Sequence, residues 1–342
     1  MTLQPPLEPP QHGGEATERL ENAIELKEVE GLSQGQIVFR RFIRHKAAMI
    51  ALIVLVAVIL LAITSIGVGP IPGWWQWDHI RKHDIAIPGG RPTLVISLAQ
   101  GISVGDFPFG QDDIGRDIFA RVMFGTQRSL TVMVIIGLLA STIGIVVGAI
   151  SGFFRGRADT LLMRFTDVII TIPLIVVGAV LGKLVGSGSA VTLAIALGLF
   201  SWTTMGRLVR GEFLSLRERE FVDAARVAGA SNARIMFKHM LPNAIGVIIV
   251  SATLLMASAI LLETALSFIG FGVNPPDVSL GQLINEYQSA FSTRPWLFWW
   301  PGLFIVIIAL CVNFIGDGLR DAFDPRQRKI PSKKSMAKGL KD

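Results

Sequence analysis

The chain has 342 residues and a net charge of +6; 51% are hydrophobic and 17% charged, with a mean hydropathy of +0.54. That balance excludes a soluble domain, in which about a quarter of residues are charged. The basic excess does not point to nucleic acid, because the bases flank apolar runs, where they orient helices and meet anionic membrane lipid. The single cysteine, Cys311, lies inside an apolar run, which leaves no disulfide framework and no cysteine-based metal site.

Residues 1–39 form an acidic leader. Seven Glu (8, 15, 18, 21, 25, 28, 30) face Arg19 and Lys27, after Pro5, Pro6, Pro9 and Pro10. The Pro-rich start predicts disorder, and the spacing of Leu20, Ile24 and Val29 allows a short amphipathic surface helix. No cleavable signal peptide is expected, since the first long apolar run starts only near Ala47.

Residues 40–128 hold a first span, 47–67, and a large loop. Arg40, Arg41, Arg44 and Lys46 precede the span and predict a cytoplasmic N-terminus. The loop that follows balances its acids and bases, as an outer loop does, and is rich in Pro and Gly through 67–110, which favours extended and turn structure. Trp74, Trp75 and Trp77 resemble an interfacial belt. Just before the second span, the hydrophilic Gly110–Asp117 stretch predicts an amphipathic elbow in which Asp112, Asp113, Arg116 and Asp117 brace a gate, not a catalytic acid pair.

Residues 129–318 form the core. The second span, 129–154, carries Gly144, Gly148 and Gly152 at four-residue spacing, a stripe that lets a neighbouring helix approach closely. The third, 160–182, is kinked at Pro173, and Arg164 and Asp167 near its inner end are spaced to pair on one face. Gly186–Ser189 turns the chain outside into a fourth span, 189–209. The fifth, 243–268, contains Glu263, which is expensive in lipid and so faces protein or a water-filled cavity. Trp296, Trp299 and Trp300 anchor a sixth span, 297–316, before a basic tail, 319–342. The expectation is an all-α polytopic protein with six transmembrane helices and both termini in the cytoplasm.

Between the fourth and fifth spans lies a charged segment, 211–242, crowded with Arg and Lys and therefore cytoplasmic. Leu216 to Ala228 is free of Gly and Pro and rich in helix formers. Gly229 supplies a left-handed residue to end that helix, Ser231 caps a second, and Pro242 marks re-entry into the membrane. Ala224, Ala225 and Ala228 predict a small-residue surface for a groove on a partner.

The run Asp223-Ala224-Ala225, Gly229, then Leu241-Pro242 resembles the EAA signature of ABC-importer membrane subunits, with Asp223 where the signature has Glu. Gly110-Gln111-Asp112-Asp113-Ile114-Gly115-Arg116-Asp117, Asp159 to Asp167, Leu216 to Val222, Leu266 to Gly272, Gly316 to Asp321 and Asp324-Pro325-Arg326 look like the C-type permease of dipeptide and oligopeptide importers, over about 40–330. The resemblance implies an ABC type I importer-like core in a bacterial-type inner membrane. It implies a coupling hairpin in which Glu220, Asp223, Ala224, Ala225, Gly229, Leu241 and Pro242 meet an ATPase. It further implies a homologous B-type permease, two cytoplasmic ATPase subunits that bind the ATP and Mg²⁺, and an extracytoplasmic binding protein. The solute would be a peptide, with oligosaccharide, nickel chelate or another small solute as alternatives within the class.

The expectation is a chain that does no chemistry itself and holds no cofactor, and the sequence agrees that ATP is handled elsewhere. No G-x-x-x-x-G-K-[ST] occurs, and Gly178–Leu184 has the wrong spacing and lies in a span. His79 and His83 stand four apart, as on one helix face, but lack a metal motif. One buried acid, Glu263, is thin grounds for a proton relay and reads as an interface residue. A stand-alone secondary transporter is the rival class; it predicts internal repeats and intramembrane ion ligands, and neither is evident.

Overall fold

The computed structural model describes residues 34–97, 101–185 and 190–324. The acidic leader before Gln34, the Gly186–Ser189 turn and the basic tail from Pro325 lie outside the described residues. Helix α1 (Gln34–Arg44) leads into α2 (Lys46–Ile66), the first span. Between them His45 Nδ1 accepts from Ala48 N at 3.1 Å and caps α2. Along α2, Ile50, Ile53 and Leu60 are more than half exposed, as a lipid-facing helix requires. The following loop contains two small antiparallel hairpins, β1–β2 (Gly67–Val68, Ile71–Pro72) and β3–β4 (Val95–Ser97, Gly101–Ser103).

The second span is longer than its apolar run. Helix α3 covers Ile118–Phe154, 37 residues, or roughly 55 Å at 1.5 Å per residue. It starts eleven residues before 129, inside the stretch grouped above with the outer loop. Asp117 sets the start: its two carboxylate oxygens accept from Phe119 N at 3.2 Å and Ala120 N at 3.1 Å. Arg121 and Arg128 broke the hydropathy pattern there, yet each finds an acid, Glu286 at 2.6 Å and Asp277 at 2.9 Å.

The third span is broken rather than kinked. Helices α4 (Gly156–Thr171) and α5 (Leu174–Val185) meet at 76°. Pro173 excludes the α conformation at Ile172, which sits at φ −88°, ψ 118°, so α4 stops at Thr171. The fourth span is α6 (Ala190–Gly198), a turn, and α7 (Thr203–Arg217). The glycine stripe of α3 receives α7: a Cβ on Gly144 would meet Met205, one on Gly148 would meet Gly206 O, and one on Gly152 would meet Arg210 O, all within 2.7 Å. The stripe is therefore filled within this chain and by itself says nothing of a second subunit.

The predicted Leu216–Ala228 helix is interrupted at Glu218, so the hairpin helix proper is α8 (Glu220–Val227). Beyond it α9 (Asn232–Arg234), a π-helical turn (Ile235–Met240) and α10 (Leu241–Phe268) run as one rod into the membrane span, Asn232–Phe268. Pro242 has no N–H and its ring crowds the carbonyl four residues back. The π turn absorbs that misfit, with Leu241 N bonding Met236 O, so the rod continues. Helix α11 (Leu280–Tyr287) was not anticipated. The last helix, α12 (Trp296–Phe323), extends seven residues past the predicted end at 316.

Three apolar clusters fill the bundle, and α3 threads all of them. Phe119, Met123 and Met133 pack with Ile260, Leu283 and Ile308 at one end. Val132 and Ile136 pack with Leu193, Leu197 and Leu266 in the middle. Ala149 and Phe153 pack with Val209, Phe213, Val222 and Ile235 beneath the hairpin.

Candidate functional site

The hairpin is a rigid platform. On α8, Val222 and Ala225 turn inward, 0% and 8% exposed, onto Phe213, Ile235 and Met236. The helix ends in a Schellman arrangement: Gly229 N bonds Arg226 O at 2.9 Å and Ala230 N bonds Ala225 O at 3.0 Å. That closure needs the left-handed backbone of Gly229, φ +78°. Ser231 Oγ then accepts from Arg234 N at 3.4 Å and caps the returning rod, as its position predicted.

The exposed face carries Phe221, Asp223, Ala224, Val227, Ala228 and Gly229. Ala225, expected on the docking surface, is instead a core residue, because a helical period places it one turn below Val222. Asp223 is exposed and its Oδ1 accepts from Arg226 on the same helix at 2.8 Å. Glu220 and Pro242 are exposed and Leu241 half-buried. Two contributors were missed: Val227 is 91% exposed and, on the returning rod, Phe237 is 57% exposed. An apolar side chain on the solvent phase of a charged helix was the available signal.

Comparison with known proteins shows the family of the chain. Residues 144–329, more than half of the chain, match the family model of the binding-protein-dependent transport system inner membrane component. The chain belongs to this family. Residues 33–87 match the N-terminal transmembrane domain of oligopeptide transport permease C. The chain is similar to the oligopeptide transport system permease protein OppC of Mycobacterium bovis, 36% identical over 302 residues that cover 88% of this chain and 98% of the relative. It is also similar to a putative peptide permease protein of Brucella ovis, 46% identical over 220 residues, 64% of this chain and 72% of the relative. A solved inward-facing structure of the MetNI methionine ABC transporter aligns at a TM-score of 0.49 and 19% identity over 60% of this chain and 97% of that one.

In this permease the stretch 110–117 is a folded loop that leads into α3. Three of its four predicted residues act as anchors. Asp112, fully buried, accepts from Arg116 Nε at 2.6 Å and Tyr287 Oη at 3.1 Å. Arg116 also pairs with Glu286 on α11. Burial works against the Arg116 charge, but the acidic surroundings prevail and its pKa is raised. Asp117 caps α3 and accepts from Trp75 Nε1 at 2.7 Å. Asp113 is simply exposed. The hub of this network, Glu286, was missed: its carboxylate takes Arg116, Arg121 and Gln282. Burial pushes the Tyr287 phenol well above its ordinary range, so it stays a neutral donor.

Glu263 faces protein, as expected of a membrane acid. It is fully buried, and its oxygens accept from Ser129 Oγ at 2.9 Å and Ser267 Oγ at 2.7 Å. Ser129 in turn accepts from Leu280 N at 3.2 Å, so the cluster holds the first turn of α11.

The Arg164–Asp167 pair forms, but it is loose and is not Asp167's main contact. Their closest approach is 3.9 Å and Arg164 is 81% exposed, whereas Asp167 accepts from Arg207 on α7 at 2.7 Å. A partner on the next span offers a shorter, straighter contact than one three residues along the same helix. His79 and His83 also part company: residues 78–83 are not helical, His79 stacks on Phe124 at 3.8 Å and His83 lies against Trp77 at 4.2 Å. Burial lowers the His79 pKa and keeps the ring neutral.

Proposed function

We propose that the chain is the C-type half of an ATP-driven peptide importer and that its exposed hairpin face seats in an ATPase subunit. The observation that carries the proposal is the platform itself. Phe221, Ala224 and Val227 are presented on a helix locked from beneath by Val222 and Ala225 and from its end by Gly229. A small, partly apolar, rigid face of that kind fits a groove on a protein. The oligopeptide names of the relatives support peptide as the solute.

In this reading the chain is not an enzyme: ATP and Mg²⁺ are bound by two partner ATPases, a homologous B-type permease completes the pathway, and a binding protein delivers solute from outside. Both termini and the hairpin are cytoplasmic, and the Trp74–Trp77 end is extracytoplasmic. ATPase closure displaces the hairpin and the spans alternate between two openings.

The test is Gly229→Val. There is open space around Gly229, so the substitution acts through backbone strain and not through a clash. A β-branched residue at that φ misplaces the hairpin, at a cost on the order of 1–3 kcal/mol. The assembled complex should lose peptide uptake and peptide-stimulated ATP hydrolysis while the variant still inserts. Uptake at the unaltered rate in that variant, or uptake by the purified single chain without ATP, overturns the proposal.

A further inference from the structure

The motif Asp159 to Asp167 lies on α4, and both its acids reach α7. Helix α4 packs poorly. Of its 16 residues one, Thr166, is fully buried, while Leu161, Phe165 and Val168 are 57–73% exposed. What fixes α4 is polar. Asp159 receives a bidentate Arg210 guanidinium, 2.6 Å to Oδ1 and 2.7 Å to Oδ2, together with the Ser151 hydroxyl. Two turns on, Asp167 receives Arg207 at 2.7 Å. At the start of α4, Arg155 pairs with Glu218. All three partners stand on α7 or on the residue that ends it, and α7 runs directly into the hairpin helix α8.

The other ends of these segments also coincide. The break at Ile172–Pro173 and the turn that holds Phe200 and Ser201 line one cavity of about 410 Å³, with Arg207 in its wall. A second cavity of about 490 Å³ shares Leu174, Ser201 and Thr204 with it and continues past Ser251 and Ser258. The two discontinuities therefore face each other across one space. The helical pieces beyond them, α4 and α7, are joined by charge-assisted struts.

We propose that Asp159 and Asp167 are positioning residues that make α4 follow α7, so that displacement of the hairpin reaches the Pro173 break and changes the width of this space. The inference rests on the coupling role proposed for the hairpin. A bidentate guanidinium–carboxylate pair fixes distance and orientation together, which a greasy contact does not. Asp159, 18% exposed, is the stiffer strut; the Asp167–Arg207 pair, about half exposed on both sides, is the weaker. Segments with few buried contacts are the ones that shift at low cost, and the struts decide with what they shift.

The experiment uses the complete complex in liposomes, with uptake and ATP hydrolysis measured together. Asp159→Asn and Asp167→Asn remove charge and keep shape. The expected result is a complex that holds all its subunits and hydrolyses ATP at the unaltered rate, with solute moved per ATP lowered about tenfold, a typical size for one coupling interaction. Asp159→Glu should retain most of the ratio, and the exchange Asp167→Arg with Arg207→Asp should recover what Asp167→Asn loses. An unchanged ratio in both Asn variants overturns the inference, as does an exchange that assembles and recovers nothing. If Asp159→Asn fails to insert, Asp167→Asn and the exchange decide. Failure of the unaltered chain to retain ATPase subunits on purification sinks the coupling reading itself, an outcome distinct from a normal transport ratio in an assembled variant.

Discussion

Arg121, on the first turn of α3, donates from Nη2 to Glu286 Oε2 at 2.6 Å, 165 residues away. Its side chain is 4% exposed, and the guanidinium carbon lies over the Tyr287 ring at 5.8 Å. The pair fixes the end of α11 on the start of α3, as Ser129 and Glu263 fix its beginning. Glu286→Ala leaves Arg121 as a buried charge without a carboxylate and takes one partner from Arg116. The expected loss is about 3 kcal/mol, read as a lowered thermal midpoint in detergent. A midpoint equal to that of the unaltered protein counts against the network.

The Asp117 carboxyl is held above the ordinary carboxylate range. Burial raises its pKa to about 6, against hydrogen bonds from Trp75, Ala120 and Phe119 that favour the charge. A carboxyl whose pKa is higher folded than unfolded binds its proton more readily in the folded state. Its contribution to stability is thus full below the ordinary carboxylate range and is lost as pH rises through about 6. Because Trp75 Nε1 donates to Asp117, Trp75 fluorescence should change with a midpoint near that value. The difference signal between the unaltered protein and Trp75→Phe isolates it, and Asp117→Asn should abolish it.

Glu263 tests the opposite end of α11. Glu263→Ala leaves the buried Ser129 and Ser267 hydroxyls without their acceptor, at roughly 2 kcal/mol. Glu263→Gln keeps one acceptor oxygen and should cost less. Equal thermal midpoints for the two variants would mean that the hydroxyl bonds contribute nothing.

Orientation is open to thiol labelling in a Cys311→Ser background. Gln111 is a poor reporter despite its polarity: it is 1% exposed, and its amide bonds Ala86 N and Asp84 O. Asp113 and Ser215 are both exposed. In intact cells an impermeant reagent should label Asp113→Cys and spare Ser215→Cys. The reverse pattern inverts the topology.

The residues along the chain determined what is local. About twenty consecutive apolar residues make a helical span, because unpaired backbone groups are intolerable in hydrocarbon. The turn at Gly229 and the cap at Ser231 depend on neighbours a few positions away, and both were legible as motifs. So was the glycine stripe, though not the identity of α7 as its partner. Tertiary structure decided which charges meet. Asp167 reaches Arg207, 40 residues on, and Arg121 reaches Glu286, and residues 118–128, grouped with the outer loop by their charges, are helical. It also decided the phase of α8, which buries Ala225 and exposes Val227, and it divided the third span at Pro173. Helix propensity and hydropathy are summed along the chain, whereas an ion pair depends on distance in space, and only the packed bundle sets that distance.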